Sequence, residues 1–133
     1  MSQLGTFHHI GLACRSMADE YDQLTTLGYS AEGEPILDPV QQVRVQFFGG
    51  GGPRIELAEP ASDDSPVQGW LKRGTKLYHM AYEVAGLEAA MRHLEARQFI
   101  PIMKPVPAVA FGMRKIVFLT SPTRNLVELI EAP

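Results

Sequence analysis

The feature that most constrains this 133-residue chain is an internal duplication. The segment from Phe7 to Pro60 and the segment from Tyr78 to Pro133 carry the same order of elements, which reads as two copies of one βαβββ-type module. Each copy opens on a strand with an aromatic residue and a histidine, Phe7-His8-His9-Ile10-Gly11-Leu12-Ala13 in the first and Leu77-Tyr78-His79-Met80-Ala81-Tyr82-Glu83-Val84 in the second. A helix follows. In the first copy Ser16 reads as the N-cap with Asp19 three residues on, and Met17, Tyr21, Leu24 and Leu27 recur at helical spacing until Gly28 stops them. In the second, Leu87, Ala90, Met91 and Leu94 make the corresponding stripe. Two strands close each copy, Val43 to Phe48 then Arg54 to Ala58, and Lys115 to Leu119 then Leu126 to Ile130. Gly49-Gly50-Gly51-Gly52-Pro53 turns the first pair and Ser121-Pro122-Thr123-Arg124-Asn125 the second.

The two copies stay in register. His9 and His79 stand 70 residues apart, and Glu56 and Glu128 stand 72 apart. Loop-length variation between related modules accounts for that small difference. The modules span about residues 6–60 and 76–133, with a linker at about 61–75 that carries a short amphipathic helix around Val67 to Lys72, including Trp70 and Leu71. A chain of this length is expected to form a single domain with a real core and no separate regulatory domain.

Strand alternation then says where the acids point. In Arg54-Ile55-Glu56-Leu57-Ala58, Glu56 lies on the face opposite Ile55 and Leu57, and Val127-Glu128-Leu129 repeats the pattern. A carboxylate between apolar neighbours is costly to bury unless it is paired or ligates a metal. A pseudo-twofold arrangement would bring His9, His79, Glu56 and Glu128 into one cleft, offering two nitrogens and two oxygens to a divalent first-row ion, with two positions left for water or substrate. A lone strand histidine is more often packed or exposed than ligating, and the repetition is what singles these two out. His8 and His93 have no counterpart in the other copy and read as structural. The glycine run is followed by a strand rather than a helix N-terminus, so it reads as a hairpin turn and not a phosphate cradle.

Composition excludes several classes. The formal charge is −3 and basic residues are not clustered, so a nucleic-acid partner is not expected. With 20% charged and 45% hydrophobic residues the chain is not disordered or fibrous. No run reaches the roughly 18 to 20 apolar residues of a membrane span, and Met1 to Gly5 lack a signal pattern, which makes the cytoplasm the expected location. The single cysteine, Cys14, excludes an internal disulfide and a multi-thiolate zinc site, and reads as a small buried residue.

These residues also resemble a family. The repeated histidine strand and glutamate strand are similar to those of the vicinal oxygen chelate superfamily, which includes glyoxalase I, extradiol dioxygenases, fosfomycin and bleomycin resistance proteins and methylmalonyl-CoA epimerase. The resemblance covers nearly the whole chain and is closest to the epimerase branch. It is carried by Phe7 to Ala13, Ile55-Glu56-Leu57, Tyr78-His79-Met80, Leu126 to Leu129 and, in the linker, Asp64-Ser65-Pro66-Val67-Gln68-Gly69-Trp70-Leu71. It implies an α+β fold in which the modules form a half-open, cup-shaped mixed sheet with helices outside, and a homodimer. It also implies metal binding by His9, Glu56, His79 and Glu128, with zinc, cobalt, nickel, manganese and iron not distinguished.

The function implied is that of a metal-dependent isomerase or lyase that stabilises an enolate, acting on a small acyl thioester such as a CoA ester, or on a related carbonyl compound. Glu128 is then the base. A fourth protein ligand at Glu56 counts against dioxygenase chemistry, and an intact quartet counts against simple sequestration of a drug. The chain departs from the epimerase pattern before its third strand. There the segment Ile36-Leu37-Asp38-Pro39-Val40-Gln41-Gln42 places Val40 where a second acid is expected; Asp38 is the nearest candidate for that catalytic role, though an aspartate before proline also reads as an ordinary turn residue. A glyoxalase I-like lyase and a non-catalytic small-molecule binding or resistance module are the alternatives. Arg44, Arg54, Lys72, Arg73, Lys104, Arg114 and Lys115 read mainly as scattered surface charge.

Overall fold

The computed structural model describes residues 4–133, so Met1 to Gln3 of the N-terminal reading lie outside the described residues. The expected α+β class holds, with ten strands and three α-helices among the described residues. The chain divides into two compact units, one of His9–Tyr78 and one of residues 4–8 with His79–Pro133.

The first unit contains most of β1 (Thr6–Ala13), then α1 (Met17–Thr26), β2 (Ser30–Ala31), β3 (Ile36–Asp38), β4 (Val43–Gly49), β5 (Ile55–Pro60) and α2 (Val67–Lys72). Its strand order is β2-β4-β5-β1, with β3 also on β4. β1 and β5 run parallel and β4 and β5 antiparallel, so the unit's sheet is mixed. The second contains β6 (Leu77–Val84, less its first two residues), α3 (Leu87–Glu95), β7 (Ile100–Pro101), β8 (Val106–Pro107), β9 (Lys115–Thr120) and β10 (Leu126–Glu131), in the order β6-β10-β9-β7 with β8 also on β9. Again the inner pair, β6 and β10, is parallel and the outer pair, β9 and β10, antiparallel.

The sequence predicts three strands after each helix, and the structure has four. The extra strand is one edge strand broken in two: β2 and β3 lie along opposite ends of β4, as β7 and β8 do along β9. Gly33 and Pro35 interrupt the first, and Pro105 the second.

Each unit has its own core. Leu12, Cys14, Leu24, Phe48, Ile55 and Leu57 form one, and Val84, Leu87, Ala90, Met91, Leu94, Val117, Leu119, Val127 and Leu129 the other. The α3 stripe is buried as predicted. The α1 stripe is not. Leu24 is buried, but Leu27 is 68% exposed and Tyr21 is exposed, while Glu20 turns inward. Leu27 is the C-cap, past the last turn, and Tyr21 lies on the flank with its ring edge against Phe48. Glu20 is tolerated there because its carboxylate pairs with Lys76. Ser16 caps α1 by accepting from the Asp19 backbone N–H, and the Glu59 carboxylate accepts from that of Met17.

The glycine run is a hairpin turn. Gly50 and Gly52 have positive φ, and a β-carbon on Gly51 would fall 2.6 Å from the Tyr29 ring. Helix α2 occupies the predicted linker residues but buries Val67 rather than Trp70 or Leu71. Trp70 instead packs against Tyr78 beneath the Arg73 guanidinium. Arg44, Arg54 and Arg114 pair with Glu59, Glu32 and Glu83. None of the helices among the described residues is long and apolar enough to cross a membrane.

Cys14 is buried as predicted. Burial, and secondarily Glu59, push its thiol pKa up to about 11, against a weaker opposing effect of Lys76. The folded state thus holds this proton more tightly than the unfolded state, whose thiol titrates near 9.0. The associated stability is complete below pH 9 and is lost as the pH rises toward 11, at up to about 1.4 kcal/mol per pH unit. Urea unfolding at a series of alkaline pH values should therefore show a steeper loss for the natural protein than for Cys14→Ala. Parallel slopes would refute this account of the thiol.

Candidate metal centre

The acids sit in the middle of three strands. In the first unit β5 has β1 on one side and β4 on the other, and Glu56 is in register with Gly11 of β1 and Phe47 of β4. In the second, β10 lies between β6 and β9, and Glu128 is in register with Ala81 and Phe118. The histidines precede the register partners by two residues, His9 before Gly11 and His79 before Ala81, which puts each on the same face as the glutamate beside it. The opposite face of each middle strand carries Ile55 and Leu57, or Val127 and Leu129, into the core. Glu56 and Glu128 are themselves buried.

This register brings His9 to Glu56 and His79 to Glu128. The His9 Nε2 to Glu56 Oε1 distance is 3.5 Å and the His79 Nε2 to Glu128 Oε1 distance is 3.1 Å. All four side chains are buried. Both separations exceed the roughly 2.7–2.9 Å of a strong charge-assisted hydrogen bond. They fall in the range of about 3–4.4 Å that separates two donors each about 2.0–2.2 Å from a shared ion. Each unit thus offers one buried imidazole nitrogen and one buried carboxylate oxygen, the donor types that a divalent first-row ion accepts.

Asp38, the candidate second acid, ends β3 and is 2% exposed. Its Oδ1 accepts from the backbone N–H groups of Val40 and Gln41, each at 3.0 Å, and its Oδ2 from Gln41 Nε2 at 2.8 Å. This is the arrangement of an aspartate that closes a turn. Of the two histidines read as structural, His8 packs edge-on against Phe111, and His93 lies beside Arg97 on an exposed helix face.

The sequence reading missed Phe47 and Phe118. Each packs edge-to-face on the histidine of its own unit, with ring centroids 5.3 Å apart for His9 and 5.2 Å for His79. The signal was present, since these two residues stand 71 positions apart, between the offsets of the histidines and of the glutamates.

The chain matches the Glyoxalase/Bleomycin resistance protein/Dioxygenase superfamily over residues 8–118 and belongs to that superfamily. It is 33% identical over 129 residues to an uncharacterized protein of Bacillus subtilis (strain 168), YqjC, covering 92% of this chain and 89% of that one. It is 27% identical over 132 residues to the mitochondrial methylmalonyl-CoA epimerase of Dictyostelium discoideum, covering 96% and 79%. Among solved structures, the Streptomyces coelicolor methylmalonyl-CoA epimerase in complex with 2-nitronate-propionyl-CoA shares the fold at a TM-score of 0.81 and 23% identity, covering 98% of this chain and 99% of that one.

If Asp38 holds its turn, Asp38→Ala strands two backbone donors. It should lower the unfolding free energy by about 1–3 kcal/mol in urea titrations. Unchanged stability would count against the structural role.

Proposed function

We propose that this chain is a metal-dependent isomerase of the methylmalonyl-CoA epimerase type, acting on an acyl-CoA thioester or related carbonyl compound by removing the proton next to the carbonyl. The observation that carries the reading is the buried His–Glu pair repeated in matching register in both units. The named activity of the Dictyostelium relative supports the substrate class, as does the acyl-CoA analogue held by the Streptomyces protein.

In this reading His9, Glu56, His79 and Glu128 hold one divalent ion, whether zinc, cobalt, nickel, manganese or iron. When bound, the ion supplies Lewis-acid stabilisation of the negative charge that develops on the substrate oxygens. Glu128 takes the α-proton onto its carboxylate. Its burial favours that role, because a carboxylate shielded from water is less stabilised by solvation and so is a stronger base toward the substrate. Binding also relieves the burial of two acids, so metal loading and stability are linked.

The commitment of Asp38 to its turn favours a second reading, a glyoxalase I-like lyase in which one carboxylate moves the proton on a single face. A homodimer and a cytoplasmic location complete the proposal.

Incubation of metal-loaded protein with methylmalonyl-CoA in heavy water tests both readings. Deuterium should enter the α-carbon, and Glu128→Gln should slow entry by about 10²- to 10⁴-fold. Entry with inversion supports the epimerase and requires a second proton donor on the opposite face, whereas entry without inversion assigns the exchange to Glu128 alone. Turnover of a hemithioacetal without exchange into methylmalonyl-CoA would select the lyase, and neither activity would leave a binding module. Elemental analysis should find one divalent ion per natural chain and far less in His79→Ala and Glu128→Ala. Equal trace metal in all three would overturn the metal site.

A further inference from the structure

We propose that Phe47 and Phe118 are positioning residues that hold the imidazoles of His9 and His79 in ligating orientation, one in each unit; the proposal rests on the metal-binding reading above. The argument begins with register. Phe47 is the antiparallel partner of Glu56 and Phe118 that of Glu128, and residues directly opposite in a sheet project to the same face. Each histidine comes from the strand on the other side of the glutamate, so histidine and phenylalanine reach toward each other across the middle strand. They meet in similar geometry in both units, with centroids at 5.3 and 5.2 Å and ring planes at 70° and 85°.

Core filling does not account for this pair. Phe47 and Phe118 are only half-buried, whereas their neighbours Phe48, Val117 and Leu119 are fully buried and belong to the two cores. The imidazole torsion about Cβ–Cγ is broad, and an aromatic edge or face beside the ring narrows it. A contact that fixes a ligand's orientation raises metal affinity without touching the ion.

The test measures Co²⁺ and Zn²⁺ dissociation constants by competition with a chromophoric chelator, together with the visible Co²⁺ spectrum and the melting temperature of the metal-free protein. Phe47→Leu and Phe118→Leu should each weaken binding about two- to tenfold and shift the Co²⁺ bands. Phe118→Tyr, which keeps the ring, should bind within twofold of the natural protein. Natural affinity and an unchanged spectrum in both leucine variants, while His79→Ala loses the ion, would overturn the positioning role and leave the metal site standing. Equal weakening in the tyrosine variant would overturn it as well. Failure of the natural protein to bind either ion would remove both readings. If a leucine variant does not fold, the methionine variant at the same position replaces it, with the same expectations.

Discussion

Each unit of this protein is organised around a carboxylate that has been taken out of water. Glu56 and Glu128 each lie in the middle strand of three and are buried there. Removing an ionised carboxylate from water costs several kcal/mol even after the protein relaxes. An imidazole at 3.1 or 3.5 Å offsets part of that cost. The flanking residues are fitted to the acid: glycine or alanine on the parallel side leaves it room, and phenylalanine on the antiparallel side excludes water without competing for its oxygens. A hydrophobic residue at either glutamate position would be easier to bury, and that cost is what the proposed metal ligation would offset.

Much of this was legible in the sequence because the chain is duplicated. A histidine or a glutamate in a strand says little alone, but His9 with His79 and Glu56 with Glu128, at offsets of 70 and 72, mark positions held through divergence. Helix α3 was readable because its apolar stripe faces a core with no competing demand. Helix α1 was misread because Lys76, 56 residues away from Glu20, makes an inward acid acceptable, and local periodicity carries no such partner. Phe47 and Phe118 escaped notice for a related reason. In strands rich in apolar residues, a ring that serves an imidazole is spelled the same way as one that fills a core. The broken edge strands were hidden because their prolines read as loop, although each fragment pairs with a longer neighbouring strand.

The turns show what the duplication has preserved. The hairpin before β5 uses Gly50 and Gly52 at positive φ beneath Tyr29. The one before β10 uses Arg124 at φ 69°, with the Ser121 hydroxyl accepting from the Asn125 backbone N–H. The local chemistry differs while the strand pairing that follows is the same, down to phenylalanine opposite glutamate. Connections have drifted and register has not, as expected when the face that each side chain occupies matters more than the path between strands.

Register also explains how so exposed a requirement is met so far along the chain. The pairs form between parallel strands, which no tight hairpin can join, so α1 and three strands separate His9 from Glu56. A slip of one residue between β1 and β5 would turn Glu56 into the core and drive Ile55 and Leu57 out of it. Burying those two side chains is worth about 1.5–3 kcal/mol each, and the slipped register would forfeit it while adding an unpaired buried charge. The apolar residues on either side of each glutamate thus do more than fill a core. They set the face on which the carboxylate emerges, and the site inherits its accuracy from the packing behind it.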